Sequence, residues 1–181
     1  MKKIILFLTT LTIVVGCACA RMSASDAVKE YLDKYNNQNP TILTELENLI
    51  EEEKLNEEQG KKYKELMLKQ YKDLSYKIED ETYNGDEATV KTKITVYDLY
   101  SAQKEAEEYK NNNHTEFIDE DRNYDANKFL NYKLEQMKNA TKTIEYTIDF
   151  KVVKKEGKWV LEPVSTESLE KIHGIYNYTN D

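Results

Sequence analysis

The chain has 181 residues and a net charge of −8, from 26 Lys and Arg against 34 Asp and Glu. This length suits a single domain, and the acidic balance argues against nucleic acid and anionic lipid headgroups as partners, because both select clustered Lys and Arg. The glycines are too widely spaced for a dinucleotide fingerprint, a phosphate-binding loop or a G-x-S-x-G nucleophile elbow.

The first residues of the chain indicate export. Two lysines precede an apolar run over residues 4–15, and the run closes as Val-Val-Gly-Cys at Cys17. This ending resembles the lipobox of bacterial lipoprotein precursors. It implies a lipoprotein signal peptide over residues 1–16, acylation of the Cys17 sulfur by palmitate-type chains, and a lipid anchor on the extracytoplasmic face of the cell membrane. Residues 17–24 would then form the lipidated tether, and residues 25–181 a single α+β domain.

Two alternatives compete with lipidation. Ala18-Cys19-Ala20 is an A-x-A site for ordinary signal peptidase, which would release a mature chain starting at Arg21. We favour lipidation because a glycine directly before a cysteine at the end of an apolar run is the more restrictive motif. A membrane-spanning helix is the least favoured alternative, since the run falls well short of the roughly 20 residues needed to cross a bilayer.

Helical periodicity predicts three helices before about residue 72. Ser23 and Ser25 offer N-caps for the first helix. Asn39-Pro40 marks the start of the second, and residues 54–56 separate the second from the third. The apolar stripes of the three helices are Ala27, Val28, Tyr31, Leu32 and Tyr35; Leu43, Leu46, Leu49 and Ile50; and Tyr63, Leu66, Met67 and Tyr71.

From Ser75 onward, apolar and polar residues alternate with the period of two that predicts strands. The first predicted hairpin turns at Asn84-Gly85, because Asn-Gly between alternating runs is a strong hairpin signal and both turn residues then need positive φ. The second turns at Glu156-Gly157, just before a strand that contains Trp159. Each hairpin has one apolar and one charged face, so we expect an antiparallel sheet covered on one side.

The segments outside the hairpins are predicted to be helical or polar. Two helices lie between the hairpins, and a polar loop over residues 111–124 separates them. A capped helix begins at about Ser165 and ends at Gly174, which is typical of a glycine C-cap.

The order of helices, hairpin, helices and hairpin resembles the cone-shaped α+β fold called nuclear-transport-factor-2-like or cystatin-like. It is similar in particular to uncharacterised lipoproteins of Gram-positive bacteria, which carry a Gly-Lys-Trp strand like residues 157–159 and a Gly-Asp turn before an Ala-Thr-Val strand like residues 85–90. The resemblance covers the leader and residues 72–163. It implies N-terminal helices packed on a curved antiparallel sheet of two hairpins, with a pocket between sheet and helices and no particular reaction.

Neither a metal site nor a cofactor is expected from the residue types. The only cysteines, Cys17 and Cys19, lie at the processing site, so the domain has no Cys for a disulfide, a metal site or a catalytic thiol. We expect His114 in the polar loop and His173 at a helix C-terminus to be surface residues.

An acidic stretch over residues 119–125 superficially matches the ligand spacing of a calcium loop. Tyr124 stands where such a loop needs Gly, and Leu130 where it needs a bidentate Glu. A solvated acidic loop, with Asp125 capping the next helix, is the favoured interpretation.

Asp98 is the carboxylate that suggests chemistry. It has the parity of the apolar residues in its strand and lies at the strand's end, where a pocket of this fold would open. An inward Asp98 near Tyr97, Tyr100 and Tyr146 could act as a general base with phenolic donors, and Trp159 is a further candidate for the lining.

Two functions are consistent with the sequence. The first is a non-catalytic envelope lipoprotein that binds an envelope protein, a peptide or a small ligand. The second is a small pocket enzyme of isomerase or dehydratase type, with Asp98 as base. We favour the first, because the catalytic motifs are missing and His and Cys are few. Capping of the following helix by Asp98 or Ser101 is also the favoured explanation of that carboxylate. The tether from Cys17 to Ser23 spans at most about 20 Å, which would hold the domain close to the membrane.

Overall fold

The computed structural model of the protein describes residues 22–180. Within that range the chain forms six α-helices and four β-strands, which confirms the predicted α+β class. Cys17, the signal peptide predicted for residues 1–16 and most of the tether lie outside the described residues. None of the helices within the range combines the length and the apolar character needed to span a membrane.

Three helices open the domain, as the periodicity predicted. The Ser23 side chain accepts a hydrogen bond from the backbone N–H of Asp26, and Asn39 caps the second helix, with Pro40 at its first position. Asn56 caps the third helix. Since each cap satisfies a backbone donor that the first turn leaves unpaired, these residues fix where the helices begin. The helices are α1 (Ala24–Asn36), α2 (Pro40–Glu52) and α3 (Glu57–Asp73).

The strands form one open antiparallel sheet in the order β1-β2-β3-β4. Both predicted hairpins are confirmed, and the pairing of β2 with β3 joins them, from Glu87 opposite Val153 to Tyr97 opposite Thr143. The strands are β1 (Ser75–Asn84), β2 (Glu87–Tyr97), β3 (Thr143–Lys155) and β4 (Lys158–Leu161).

The two hairpin turns use glycine differently. In the first, Gly85 has a φ of 64°, and Asn84 and Asp86 are not among the residues with positive φ. In the second, Glu156 and Gly157 both have positive φ, 51° and 79°. The turn with two residues of positive φ is therefore the second one. The Asn-Gly signal predicts such a turn in the first hairpin, and that prediction is wrong.

Three further helices complete the described chain. The segment predicted as a polar loop is shorter than expected, because the preceding helix continues to Asn112 and a 3₁₀ turn over His114–Phe117 follows it. Asp125 caps the next helix, accepting hydrogen bonds from the backbone N–H groups of Asn127 and Lys128, which confirms the capping interpretation. The helices are α4 (Leu99–Asn112), α5 (Ala126–Lys138) and α6 (Thr166–His173).

The main core lies between one face of the sheet and the helices. Burial alternates along β2 and β3, so that every second side chain is buried and its neighbours face solvent. Fully buried aliphatic side chains on both sides of the interface exclude water, and each contributes about 1.5–3 kcal/mol by burial. The largest of them include Val28, Leu32, Leu66, Met67, Val90, Ile94, Val96 and Val152.

Candidate functional site

Asp98 lies at the junction of β2 and α4, where it caps the helix. Its Oδ1 accepts a hydrogen bond from the backbone N–H of Ser101 at 2.9 Å. Its Oδ2 accepts one from the Tyr178 hydroxyl at 3.0 Å, and its own backbone N–H donates to the carbonyl of Lys142. The capping interpretation of Asp98 is thus confirmed, and both of its carboxylate oxygens are engaged.

The C-terminal segment after α6 covers this end of the sheet. The ring of Tyr178 contacts the ring of Tyr100 edge-on, with centroids 5.1 Å apart, and the Tyr100 hydroxyl lies 3.2 Å from Oγ1 of Thr179. The backbone N–H of Tyr100 donates to the carbonyl of Gly174. Asp98 and Tyr100 are therefore held together by a C-terminal segment in which the sequence predicts no functional residue.

Tyr146 is buried beneath the same segment. Only 8% of the residue is exposed, its ring meets that of Tyr176 edge-on at 5.8 Å, and its hydroxyl has no hydrogen-bond partner among the described residues. Burial raises the pKa of the Tyr146 phenol, and the negative charge of Asp98 raises it further. The phenol therefore stays protonated at neutral pH.

Tyr97 is oriented away from Asp98, toward α3. Its hydroxyl donates to Oδ2 of Asp73 at 2.8 Å, and Nζ of Lys69 lies 4.4 Å from the centre of its ring. The hydrogen bond to the Asp73 carboxylate raises the pKa of the Tyr97 phenol, and burial makes a smaller contribution in the same direction. This tyrosine ties the end of β2 to α3 and does not join Tyr146.

Trp159 lies at the other end of the sheet. Its ring contacts Tyr83 at 5.4 Å, and Nζ of Lys154 lies 5.9 Å from the ring centre. The structure thus brings together Asp98, Tyr100 and Tyr146 from the predicted set, and leaves Tyr97 and Trp159 elsewhere.

A shallow open depression of about 450 Å³ lies on the solvent side of α1, between Met22 and Asn39, and none of the five predicted pocket residues lines it.

His173 is buried, so the prediction of a surface position is wrong. Its Nε2 lies 3.3 Å from the Tyr71 hydroxyl, and its ring packs near Tyr35, with the centroids 6.3 Å apart. Burial lowers the pKa of the His173 imidazole to about 4. Helical spacing could have revealed this position, because His173 follows the buried Leu169 by four residues. His114 is exposed, as expected.

The histidine belongs to a ring cluster formed by α1, α3 and α6. The hydroxyls of Tyr31 and Tyr35 lie 3.0 Å apart, and the rings of Tyr35 and Tyr71 meet edge-on at 5.0 Å. Burial raises the pKa of Tyr31 to about 12 and that of Tyr71 well above its usual value. These phenols are thus neutral packing groups with satisfied hydroxyls, which suits a structural role.

The acidic stretch at 119–125 closes on itself. Oδ1 of Asp119 accepts a hydrogen bond from the backbone N–H of Asn123, and the Asp119 N–H donates to the Asn123 carbonyl, both at 2.8 Å. Arg122, between them, has a φ of 64°. Over residues 22–180, the structure brings no three His, Cys, Asp or Glu side chains into a group that could hold a metal ion.

Comparison with known proteins shows a distant similarity to a solved structure. No protein-family model matches the chain, and no curated protein matches it. Among solved structures, the chain is similar to a protein (ycdA) from Bacillus subtilis subsp. subtilis str. 168 that is provisionally described as a lipoprotein, with 15% sequence identity and a TM-score of 0.41. The alignment covers 82% of this chain and 47% of that one, so the chain spans about half the length of the protein it matches.

Proposed function

We propose that the protein is a lipid-anchored module on the extracytoplasmic face of the cell membrane, and that it acts by binding a partner in the cell envelope rather than by catalysis. The observation that carries this proposal is the leader, in which an apolar run after two lysines ends in Gly16-Cys17. Removal of residues 1–16 would leave a mature chain with a net charge of −10, because only two lysines are lost. Membrane attachment would then depend on the acyl chains and not on basic side chains.

Two features of the domain support a binding role. The helix α1 begins at Ala24, only seven residues after Cys17, so an anchored domain would stay near the bilayer. Asp98, the candidate base, uses one carboxylate oxygen to cap α4 and the other to hold Tyr178. Helix capping and the bond to Tyr178 therefore account for the position of Asp98 without a substrate.

The anchor is tested by substituting each cysteine in the full chain. We expect Cys17→Ala to abolish incorporation of labelled palmitate and to shift the protein out of the membrane fraction. Cys19→Ala is the matched control, because it removes a thiol two positions away and leaves the lipobox intact. It should retain both label and location.

Intact-mass measurement of the mature protein distinguishes the two processing sites. Lipidation gives a chain that starts at Cys17 and carries the added mass of the acyl groups. An unmodified chain starting at Arg21 and recovered from the medium would contradict the anchor and support ordinary signal peptidase cleavage.

The resemblance to a cone-shaped nuclear-transport-factor-2-like domain forms part of the same proposal. The support for it is the order of helices and hairpins together with the burial of one sheet face. Buried side chains fill the space between the sheet and the helices, so a partner would bind on the outside of the domain.

A further inference from the structure

One edge of β3 has backbone groups that the described structure leaves unpaired. Backbone hydrogen bonds alternate sides along a strand, so each residue points either to one neighbour or to the other. Lys154 donates to the carbonyl of Asp86, and Asp98 donates to that of Lys142, which shows that the even-numbered residues of β3 point to β2. Lys151 accepts from the N–H of Glu162, so the odd-numbered residues point to the β4 side.

The strand β4 is too short to cover that side. It pairs with β3 only from Val152 to Lys155, and the Glu162 bond extends the contact to Lys151. Pro163 follows directly, has no N–H to donate, and ends the pairing. The N–H and C=O groups of Glu145, Thr147 and Asp149 therefore have no backbone partner within residues 22–180. We call this stretch, from Glu145 to Asp149, the open edge.

The open edge is a regular strand, unlike the other edge of the sheet. β3 pairs with β2 without a register shift along its whole length, whereas β1 contains an irregularity between Ile78 and Asp80. Bulges of this kind interrupt an edge and discourage further pairing. The side chains of Glu145, Thr147 and Asp149 are all exposed on the outer face, so the face beside the open edge is accessible to solvent.

We propose that the open edge of β3 binds an extended segment of a partner protein as an additional strand, and that this segment carries Lys or Arg at alternate positions. The inference rests on the proposed binding role and assigns that role a surface. Three residues of β3 offer paired backbone donors and acceptors, which is the usual basis of strand addition to a sheet.

Charge selects the partner. In an added strand, the residues directly opposite Glu145 and Asp149 lie on the same outer face as those carboxylates, and basic side chains there form favourable cross-strand pairs. On the β2 side, Nζ of Lys93 already lies 3.3 Å from Oε2 of Glu145, and Lys91 is directly opposite Asp149, so a basic strand would place each carboxylate between two rows of cations. A second copy of this chain fits poorly. A two-fold axis at Thr147 gives the most backbone bonds, but it places Glu145 of each copy opposite Asp149 of the other, and like charges directly opposite are destabilising.

The test uses the purified mature protein in detergent and a short synthetic peptide that alternates Lys and Val. Amide hydrogen exchange measured by NMR should show new protection at Glu145, Thr147 and Asp149 when the peptide is added. A peptide of the same length that alternates Glu and Val should bind at least about tenfold more weakly, because its carboxylates face those of the edge.

Two pairs of variants locate the site. Thr147→Pro removes one outward N–H without breaking a bond to β2, and should weaken peptide binding by at least about tenfold. Thr147→Val keeps the N–H and should bind as the parent does. The double variant Glu145→Gln/Asp149→Asn removes both charges and keeps every backbone N–H. It should weaken peptide binding by about threefold to tenfold. Glu87→Gln, on the outer face of β2, is the control for that change.

Several outcomes would overturn the inference. Binding that persists unchanged in Thr147→Pro and in the charge variant, or protection that appears along β1, would show that the edge is not the site. Equal binding of both peptides would refute the basic preference, and protection without peptide in a dimeric protein would identify a second copy as the occupant. Peptide binding is measured in detergent and does not depend on membrane attachment. If the mature protein carried no lipid but still bound the peptide, only the proposed anchor would be contradicted.

Discussion

Burial of His173 makes stability depend on pH. The folded protein holds the imidazole against Tyr71 and Tyr35, where burial lowers its pKa from 6.5 to about 4. Below about pH 6.5 the unfolded chain binds a proton that the folded chain excludes. Stability from this group is therefore complete at neutral pH, falls as the pH drops from 6.5 toward 4, and is lost below that window.

The size of the effect follows from the two pKa values. The difference between a pKa of 6.5 in the unfolded chain and about 4 in the folded protein corresponds to about 3 kcal/mol in total. About 2 kcal/mol of it is lost between pH 7 and pH 5, where the unfolded state is mostly protonated and the folded state is not. Glu45 on the neighbouring helix acts in the opposite direction, since burial raises its pKa and stability from that change would increase on acidification.

The assay is urea unfolding at pH 7 and pH 5, analysed for the parent, for His173→Gln and for His114→Gln. Between the two pH values the parent should lose about 2 kcal/mol more than His173→Gln, because the variant keeps Glu45 and lacks the buried imidazole. His173→Gln should lose much less, whatever its stability at pH 7, and His114→Gln, changed at an exposed position, should behave as the parent does. If the parent and His173→Gln showed the same dependence on pH, the reasoning about burial would be refuted.

Two pairs of substitutions test local packing and backbone conformation, each by urea unfolding at pH 7. Gly174→Ala should cost at least about 3 kcal/mol, because a Cβ there would lie 2.1 Å from the carbonyl oxygen of Tyr97 and the residue has a φ of 72°. Gly157→Ala, with positive φ but open space, should cost only about 1 kcal/mol. Asn36→Ala should lower the free energy of unfolding by about 2 kcal/mol, because the Asn36 amide donates to two carbonyls at the end of α3. Asn112 is exposed, so Asn112→Ala should change that free energy by less than about 0.5 kcal/mol. Equal losses within either pair would contradict the contacts that we describe.

Local signals in the sequence were enough for the elements but not for their assembly. Caps at Ser23, Asn39 and Asp125 fixed the helix starts, because each acts through backbone groups a few residues away. The pairing of β2 with β3 joins residues separated by a long helical interval, and no local pattern specifies it.

The candidate site was predictable only in part for the same reason. Strand parity identified Asp98 correctly as a residue at the end of β2, and capping preferences gave its role. Its second partner, Tyr178, lies 80 residues away in the chain and could not be inferred from spacing. His173 was misjudged because a histidine in the last turn of a helix usually favours the exposed, charged form, whereas here packing against Tyr71 outweighs that preference.

The entry point of the chain and the open edge occupy separate parts of the sheet. The backbone N–H of Ala24 lies 3.4 Å from the Tyr83 hydroxyl, and Tyr83 contacts Trp159, so the chain enters the domain at the end of the sheet that carries the two hairpin turns. Val152 lies in the same row of the sheet as Tyr83, and Thr147 is about 17 Å further along β3 at the usual rise per residue. An acylated Cys17 would therefore restrain the end of the sheet that carries the hairpin turns, and the open edge would stay accessible to a partner strand. Strand addition should then have the same peptide affinity in the anchored protein and in Cys17→Ala, and the anchor would act on the partner by raising its local concentration at the membrane.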